Sequence, residues 1–477
     1  MSSFKEYTQY DALGLARLIR NREITAIELL EEAILRVEKA NPILNAVVTE
    51  LYDDAKKSIE SGLPDGPFTG VPFLLKEFEH YAGAPITHAS KYFVDNICHQ
   101  DSEIVQRYKQ GGLVIFGKTN TSEFCITAST ESTLYGPSKN PWNKKYISGG
   151  SSGGSAVAVA SGMVPAAQGS DGGGSIRIPA SCCGLFGMKP TRGRNPWGPA
   201  YGESWCGLHG EHVLTRSVRD SAAFLDLSSG PDLGAPYYAA ISTKPYYSNL
   251  DKELKPLKIG YTVESAFEVD VDQDCIQAVN KTVELLNGLG HETEVVELDY
   301  IDDAHEFWKA FYTVILANTD AEISAYANRT GRKVTQEAFE NFTWLNLQWN
   351  KNNSATDLVN SQHFLHHIGR KIAKKFQIYD ILVTPTIAKS PPLIGYLDTE
   401  GDYDTYRERA GEFFLFTGCY NVSGNPAMSL PLHISSKNLP VGVQFVGKYG
   451  DEDTLFRLAY TLEKENPWIN DYSFDYC

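Results

Sequence analysis

The chain has 477 residues, enough for one large domain or two or three ordinary ones, and its 42% hydrophobic and 21% charged residues are ordinary for a globular protein. Its 43 basic and 59 acidic residues leave a formal charge of −16 with no long basic run, which speaks against nucleic acid as a partner. No stretch approaches the roughly 18 unbroken apolar residues of a membrane span, and Met-Ser-Ser-Phe-Lys-Glu-Tyr lacks the apolar core and cleavage site of a signal peptide.

The first fifty residues read as two helices. Asp11 is placed to cap a segment carrying Leu15, Leu18 and Ile19 on one side. Thr25-Ala-Ile-Glu28 is a capping-box pattern before the stripe Leu30, Ile34 and Val37, and Asn41-Pro42 is expected to end that helix. A third helix, near Tyr52 to Glu60, gives way to the turn-rich Gly62-Leu-Pro-Asp-Gly-Pro67.

Strands and helices then alternate. Gly70 to Leu75 is a short apolar strand, Ser102 to Lys109 a helix, and Leu113 to Phe116 a second strand. A Gly/Ser-rich stretch at 149–155 opens a small-residue helix from Ser155 to Met163. Residues 257–298 form a strand–helix–strand unit, with Ile276, Val279, Val283 and Leu286 on one helical stripe. Residues 303–378 read as helical and aromatic-rich, Tyr379 to Thr384 as a strand, and Leu455, Leu458, Ala459 and Leu462 mark a last helix. Such alternation implies an α/β protein whose sheet is covered by helices. We expect an N-terminal helical segment at 1–62 packed on the core, a main domain at 63–477, and a variable, partly helical region of that domain at 235–378.

Some motifs can be set aside. Gly112-Leu-Val-Ile-Phe-Gly-Lys-Thr119 fits the P-loop pattern by letter, but its four middle residues read as a buried strand rather than a phosphate loop. Gly149-Gly-Ser-Ser-Gly153 fits a nucleophile elbow, yet Asn143 to Ser148 is a poor strand. The later histidines His209, His363 and His433 have no distinguishing context. No H-E-x-x-H is present to suggest a zinc peptidase. Eight cysteines, at 98, 125, 182, 183, 206, 275, 419 and 477, form no C-x-x-C pair and fit idle thiols in a reducing cytoplasm.

What remains is Lys76 after an apolar strand, Gly149-Gly-Ser-Ser-Gly-Gly154, and Asp171-Gly-Gly-Gly-Ser175. Three glycines let a backbone approach a ligand and turn its N–H groups inward, as an oxyanion hole requires. Serine needs a base, no histidine lies near either Gly-rich segment, and burial at a strand end would depress a lysine enough to serve.

Together these segments resemble the amidase signature family. The likeness is carried by Gly149-Gly-Ser-Ser-Gly-Gly-Ser155, Gly169-Ser-Asp-Gly-Gly-Gly-Ser-Ile-Arg-Ile-Pro179 and Cys183-Gly-Leu-Phe-Gly-Met-Lys-Pro190. Gly70 to Lys76, Gly117 to Asn120, Asn140-Pro-Trp142, Thr384-Pro-Thr386 and Asn421 to Ala427 extend it over most of the chain. Cys182-Cys183 and Thr191-Arg-Gly-Arg194 look like the bacterial branch that includes 6-aminohexanoate cyclic-dimer hydrolase.

The resemblance implies a large mixed sheet with helices on both faces, and hydrolysis of a carboxamide C–N bond in linear or cyclic amides. It implies Ser175 as nucleophile, Ser151 (after a cis peptide bond, and bordering the substrate) as proton relay, and Lys76 as base. The N–H groups of Gly172, Gly173, Gly174 and Ser175 would form the oxyanion hole, with Ser152, Asp171 and Arg177 in support. Cys125 corresponds to a position bordering the substrate pocket, or is a packing thiol. No metal or organic cofactor is implied. The implied partner is a small-molecule amide, not nucleic acid or membrane, and a homodimer is compatible with it.

Many family members have Thr-Asp-Thr-Gly-Gly-Ser where this chain has Ser170-Asp-Gly-Gly-Gly-Ser175. The extra glycine at 172 is expected to remove a side chain beside the oxyanion hole and loosen the loop. The competing readings are the amidase component of a glutamyl-tRNA amidotransferase complex and a catalytically silent scaffold.

Overall fold

Eleven strands form one mixed sheet in the computed structural model, which describes residues 4–472, apart from 268, and residue 476. The start Met1-Ser2-Ser3 and Cys477 lie outside the described residues. In chain order the strands are β1 (Val47–Glu50), β2 (Pro72–Lys76), β3 (Val114–Thr119), β4 (Ala166–Asp171), β5 (Phe186–Lys189), β6 (Gly210–Thr215), β7 (Lys258–Tyr261), β8 (Glu292–Val295), β9 (Ile381–Pro385), β10 (Ala427–Ile434) and β11 (Pro440–Gly447). Across the sheet they run β1-β3-β2-β4-β6-β5-β10-β11-β9-β7-β8. The pairs β3–β2, β2–β4, β9–β7 and β7–β8 are parallel and the others antiparallel.

Alternation along the strands explains why both faces are covered. On β11, Val441, Val443 and Phe445 enter one hydrophobic cluster while Val446 enters the other; on β9, Ile381 and Val383 part from Leu382 in the same way. Helices Gln273–Gly288 and Glu452–Glu465 close the first face, through Val279, Leu286, Leu455 and Leu462. Helices Ala12–Arg20, Ala26–Leu44, Ala304–Thr330 and Ala355–Lys375 contribute Leu15, Leu30, Phe311 and Ile368 to the second.

The N-terminal caps form as their sequences require. The Asp11 side chain accepts from Gly14 N at 2.9 Å, and Thr25 and Glu28 bond reciprocally as a capping box. The second helix runs through Pro42 to Leu44 rather than stopping at Asn41, and ends where Asn45 turns left-handed at φ 56°. Residues 47–50 were expected within the helical segment; instead they pair antiparallel with β3 as the sheet's outer strand. Gly117, Lys118 and Thr119 of the P-loop pattern lie inside β3 itself.

β4, β5, β6 and the β10–β11 pair escape a periodicity reading. β4 is Ala-Ala-Gln-Gly-Ser-Asp, weak in β-forming residues and buried throughout, so its place is set by neighbours on both sides. β2, β3 and β4 run parallel and bring their C-terminal ends, at Lys76, Thr119 and Asp171, to one edge, where α/β sheets present ligand sites.

The helix Gly153–Ala160 presses its first turn against the end of β3. A Cβ on Gly154 would lie 2.4 Å from Asn120 N and 2.5 Å from Asn120 O. In an ordinary helix interior Gly→Ala stabilises by about 1 kcal/mol. Here Gly154→Ala should instead destabilise by about 1–3 kcal/mol, as overpacking against rigid backbone does, measured by denaturant unfolding.

Candidate active site

β2 carries Lys76 into the interior with no exposed surface. Its backbone N–H is taken by Gln168 Oε1 at 2.9 Å. Its Nζ donates to Ser151 Oγ at 2.7 Å and to Ser170 Oγ at 2.8 Å. Burial lowers the lysine below its ordinary pKa; Cys125, Asp171 and Glu211 pull the other way and do not prevail. The Lys76–Ser170 contact was not legible in the sequence, because it depends on the register of two strands.

Ser151 follows a cis peptide bond after Gly150. Its carbonyl accepts from Thr121 Oγ1 at 2.9 Å and Thr130 Oγ1 at 3.2 Å, which fixes the segment between the end of β3 and the helix Gly153–Ala160. Ser152 works in both directions, its Oγ donating to Ser170 O and accepting from Ser170 N, each at 3.2 Å. Its N–H reaches Ser175 O at 3.2 Å. The two Gly-rich segments are thereby tied together.

Ser175 is 4% exposed, and its hydroxyl meets no hydrogen-bond partner among the described residues. The Lys76–Ser151 bond is made while a Ser151–Ser175 bond is not. Such links commonly tighten only when substrate arrives. The backbone N–H groups of Gly172, Gly173, Gly174 and Ser175 find no acceptor among the described residues either. Four consecutive donors without an internal acceptor can face an oxygen that gains negative charge.

Behind this loop lies a closed polar network. Arg177 donates from Nε to Asp171 Oδ2 at 2.9 Å and from a terminal nitrogen to Oδ1 at 2.8 Å. It also reaches Thr417 O, Gln444 Oε1 and Asn421 Oδ1 at 2.7–3.0 Å. Asn421 Nδ2 returns to Asp171 O and Oδ1. Burial alone would raise Asp171, but Arg177 and Asn421 outweigh it and hold the carboxyl well below its usual range. Thr417, Asn421 and Gln444 were absent from the expected support. Asn421 alone had a signal, its place at the head of Asn421 to Ala427.

Cys125 Sγ lies 3.4 Å from Thr121 Oγ1, and both Phe124 and Cys125 hold positive φ (49° and 61°). A non-glycine pair in that conformation is strained backbone retained at the edge of the site. The elbow pattern at 149–153 has no strand in front of it. His209 is buried, its Nδ1 2.9 Å from Ser204 Oγ, and burial drives its pKa down to about 3.

The amidase sequence model matches residues 28–456. The chain belongs to the amidase family. As such it is a hydrolase acting on amide C–N bonds. It is 35% identical over 482 aligned residues to a 6-aminohexanoate-cyclic-dimer hydrolase of Paenarthrobacter ureafaciens, covering 96% of this chain and 95% of the relative. A solved structure of 6-aminohexanoate cyclic dimer hydrolase complexed with substrate matches with TM-score 0.92 and 33% identity, over 97% of this chain and 98% of that one. One component of the glutamyl-tRNA(Gln) amidotransferase of Thermotoga maritima matches with TM-score 0.79 and 26% identity, over 98% and 97% of the two chains.

The extra glycine of this amidase does not leave a gap. A Cβ on Gly172 would lie 2.4 Å and 2.5 Å from two carbons of the Trp205 indole, so the ring occupies the space the missing side chain vacates. The three glycines are also unequal. Gly173 has only ordinary contacts, at 3.4 Å or more, for a Cβ. Gly174 has φ 139° and a Cβ there would meet Thr417 Oγ1 at 2.4 Å.

Gly173→Ala should therefore fold and keep measurable turnover, whereas Gly174→Ala should lose about 100-fold or more in kcat, the effect of displacing an oxyanion donor; steady-state kinetics on both variants checks the ranking. Arg177→Met, which leaves Asp171 charged and buried, should destabilise the protein by about 3–5 kcal/mol, read from chemical unfolding of both proteins.

Proposed function

We propose that the chain hydrolyses a small-molecule carboxamide through an acyl-enzyme on Ser175, with Ser151 relaying protons to Lys76. The observation that carries this reading is the buried Lys76 amine in contact with Ser151 Oγ, beside a serine hydroxyl and four backbone donors that have no partner among the described residues.

Proton movements follow from the geometry. With Lys76 neutral, the Ser151 hydroxyl donates to the Nζ lone pair while Nζ donates to Ser170 Oγ. Ser175 Oγ attacks the carbonyl carbon and forms the C–O bond, its proton passing to Ser151 as the Ser151 proton moves to Lys76. The carbonyl oxygen takes the negative charge against the N–H groups of residues 172–175. Collapse breaks the C–N bond, and the proton returns through Ser151 to the departing nitrogen. Water then repeats the sequence in the second half and releases the acid.

Asp171 and Arg177 hold the loop, Ser152 clamps the two segments, and Cys125 lines the border. The cyclic 6-aminohexanoate dimer named for one relative supports a range of small linear and cyclic amides. Free cysteines support a reducing compartment such as the cytoplasm; among the described residues no helix is long and apolar enough to cross a membrane. A homodimer is compatible with this reading, and no cofactor enters it.

A fluorophosphonate probe should label the wild-type protein at Ser175 and leave Ser175→Ala unlabelled; labelling of the variant at another residue would remove Ser175 as nucleophile. Because the base must be neutral, kcat/KM should fall as acid protonates Lys76. The acid limb should lie well below the ordinary lysine value, in the direction burial shifts it. Lys76→Ala should fold and lose most turnover, and a variant that keeps the wild-type pH profile would exclude the lysine.

A further inference from the structure

A cavity of about 250 Å³ adjoins the candidate site, and its lining includes Phe78, Phe124, Trp197, Trp205, Glu79 and Glu211. Strand register sets its position. Glu211 on β6 stands opposite Ser170 on β4, the residue whose hydroxyl receives Lys76 Nζ. Directly opposed residues of an antiparallel pair project from the same face. Trp205 forms another wall, and the same indole covers Gly172.

The carboxyl groups of this cavity are unequally answered. Glu322 meets His88 Nε2 at 3.0 Å, Asp101 meets Lys109, and Glu203 accepts from the Tyr237 hydroxyl. Glu79 accepts from Ser102 Oγ at 2.5 Å, Gln168 Nε2 at 3.1 Å and its neighbour's backbone N–H, all neutral donors. Glu211 is 4% exposed, and among the described residues its carboxyl has no ion pair; its side-chain hydrogen bond is with the Glu79 carboxyl. Its close neighbour is Glu79; burial, and then that second carboxyl, push Glu211 well above the usual carboxylate range. Burial drives the nearby Lys76, Lys118 and His80 toward their neutral forms, whereas His88, where Glu322 outweighs burial and raises the pKa, is taken up by that carboxylate. None of the described residues lining the cavity is lysine or arginine.

A dry carboxyl pair without a permanent counter-cation, set among aromatic rings, is the environment that holds an ammonium group. Hydrogen bonds from a cation to carboxylate are among the strongest available, and ring faces attract the same charge. An alkyl chain would cover the rings and leave the carboxyl pair without a cationic partner. We infer that the cavity selects amides bearing a protonated amine, with the ammonium set against Glu79 and Glu211. Binding displaces the Glu211 proton to solvent. The inference rests on the amide-hydrolase reading above and names its substrate class.

Two matched pairs test it, 5-aminopentanamide against hexanamide and N-(4-aminobutyl)acetamide against N-pentylacetamide; the second places the amine on the departing side. In one pair the charged amide should have at least roughly tenfold higher kcat/KM, the scale of a hydrogen bond to a charged group. Glu211→Gln should bring that ratio to within about threefold of unity, chiefly by raising KM for the charged amide. Equal or better use of the neutral amide in both pairs overturns the inference, as does a ratio unchanged in the variant. Calorimetric binding of pentylammonium and pentanol to wild type separates the two readings. Absent turnover of all four amides counts against the hydrolase reading, whereas pentanol binding as well as pentylammonium counts against the cavity's charge preference. That comparison also stands if Glu211→Gln does not fold.

Discussion

One dehydrated amine organises the centre of this molecule. Lys76 has no exposed surface, and a lysine cation taken fully out of water is strongly disfavoured, so the site holds it toward the neutral form. That single condition is what the proposed role of Lys76 as base requires. It also dictates the surroundings, because a neutral amine still needs partners, and two serine hydroxyls from different segments supply them. Gln168 meets the lysine backbone and reaches on to Glu79, so one polar strand in the middle of the sheet serves both the lysine and the neighbouring cavity.

The glycine loop obeys a second constraint. Its N–H groups are useful only while they have no internal acceptor, and idle donors in a dry interior must be held open by something else. The Asp171–Arg177 pair does this from behind. It is wholly buried, and it is satisfied by side chains of Asn421 and Gln444 that arrive from more than two hundred residues later. Breaking a pair of this kind leaves an uncompensated charge, so the same contacts that orient the loop make the late part of the chain indispensable to it. Trp205 holds the other side, its ring packed where a Cβ on Gly172 would lie.

Much of the architecture is written in local sequence. Helix starts were legible because Asp11, Thr25 and Ser102 satisfy local N–H groups within three residues, a purely local interaction. The helix through Pro42 was not, since the backbone beyond it is held by the Asn41 side chain, which accepts from Ala46 and Val47 N–H, and by the sheet edge rather than by its own propensity. β4 was invisible for a related reason: Ala166-Ala-Gln-Gly-Ser-Asp171 has no apolar alternation, and it is a strand because β2 and β6 flank it.

The sequence by itself determined the chemistry: a lysine at an apolar strand end, two serines 24 residues apart, and three glycines before the second of them. Those are choices of functional group, and a functional group is written in its letter. Only the tertiary structure decided which groups touch. It placed Ser170 on the lysine, set Glu211 across from Ser170, and pressed the Trp205 ring onto Gly172, contacts that depend on strand register and on chain crossings no local pattern encodes. Substrate preference belongs to that second category, because a cavity wall is assembled from distant segments whose letters say nothing of one another until the sheet brings them together.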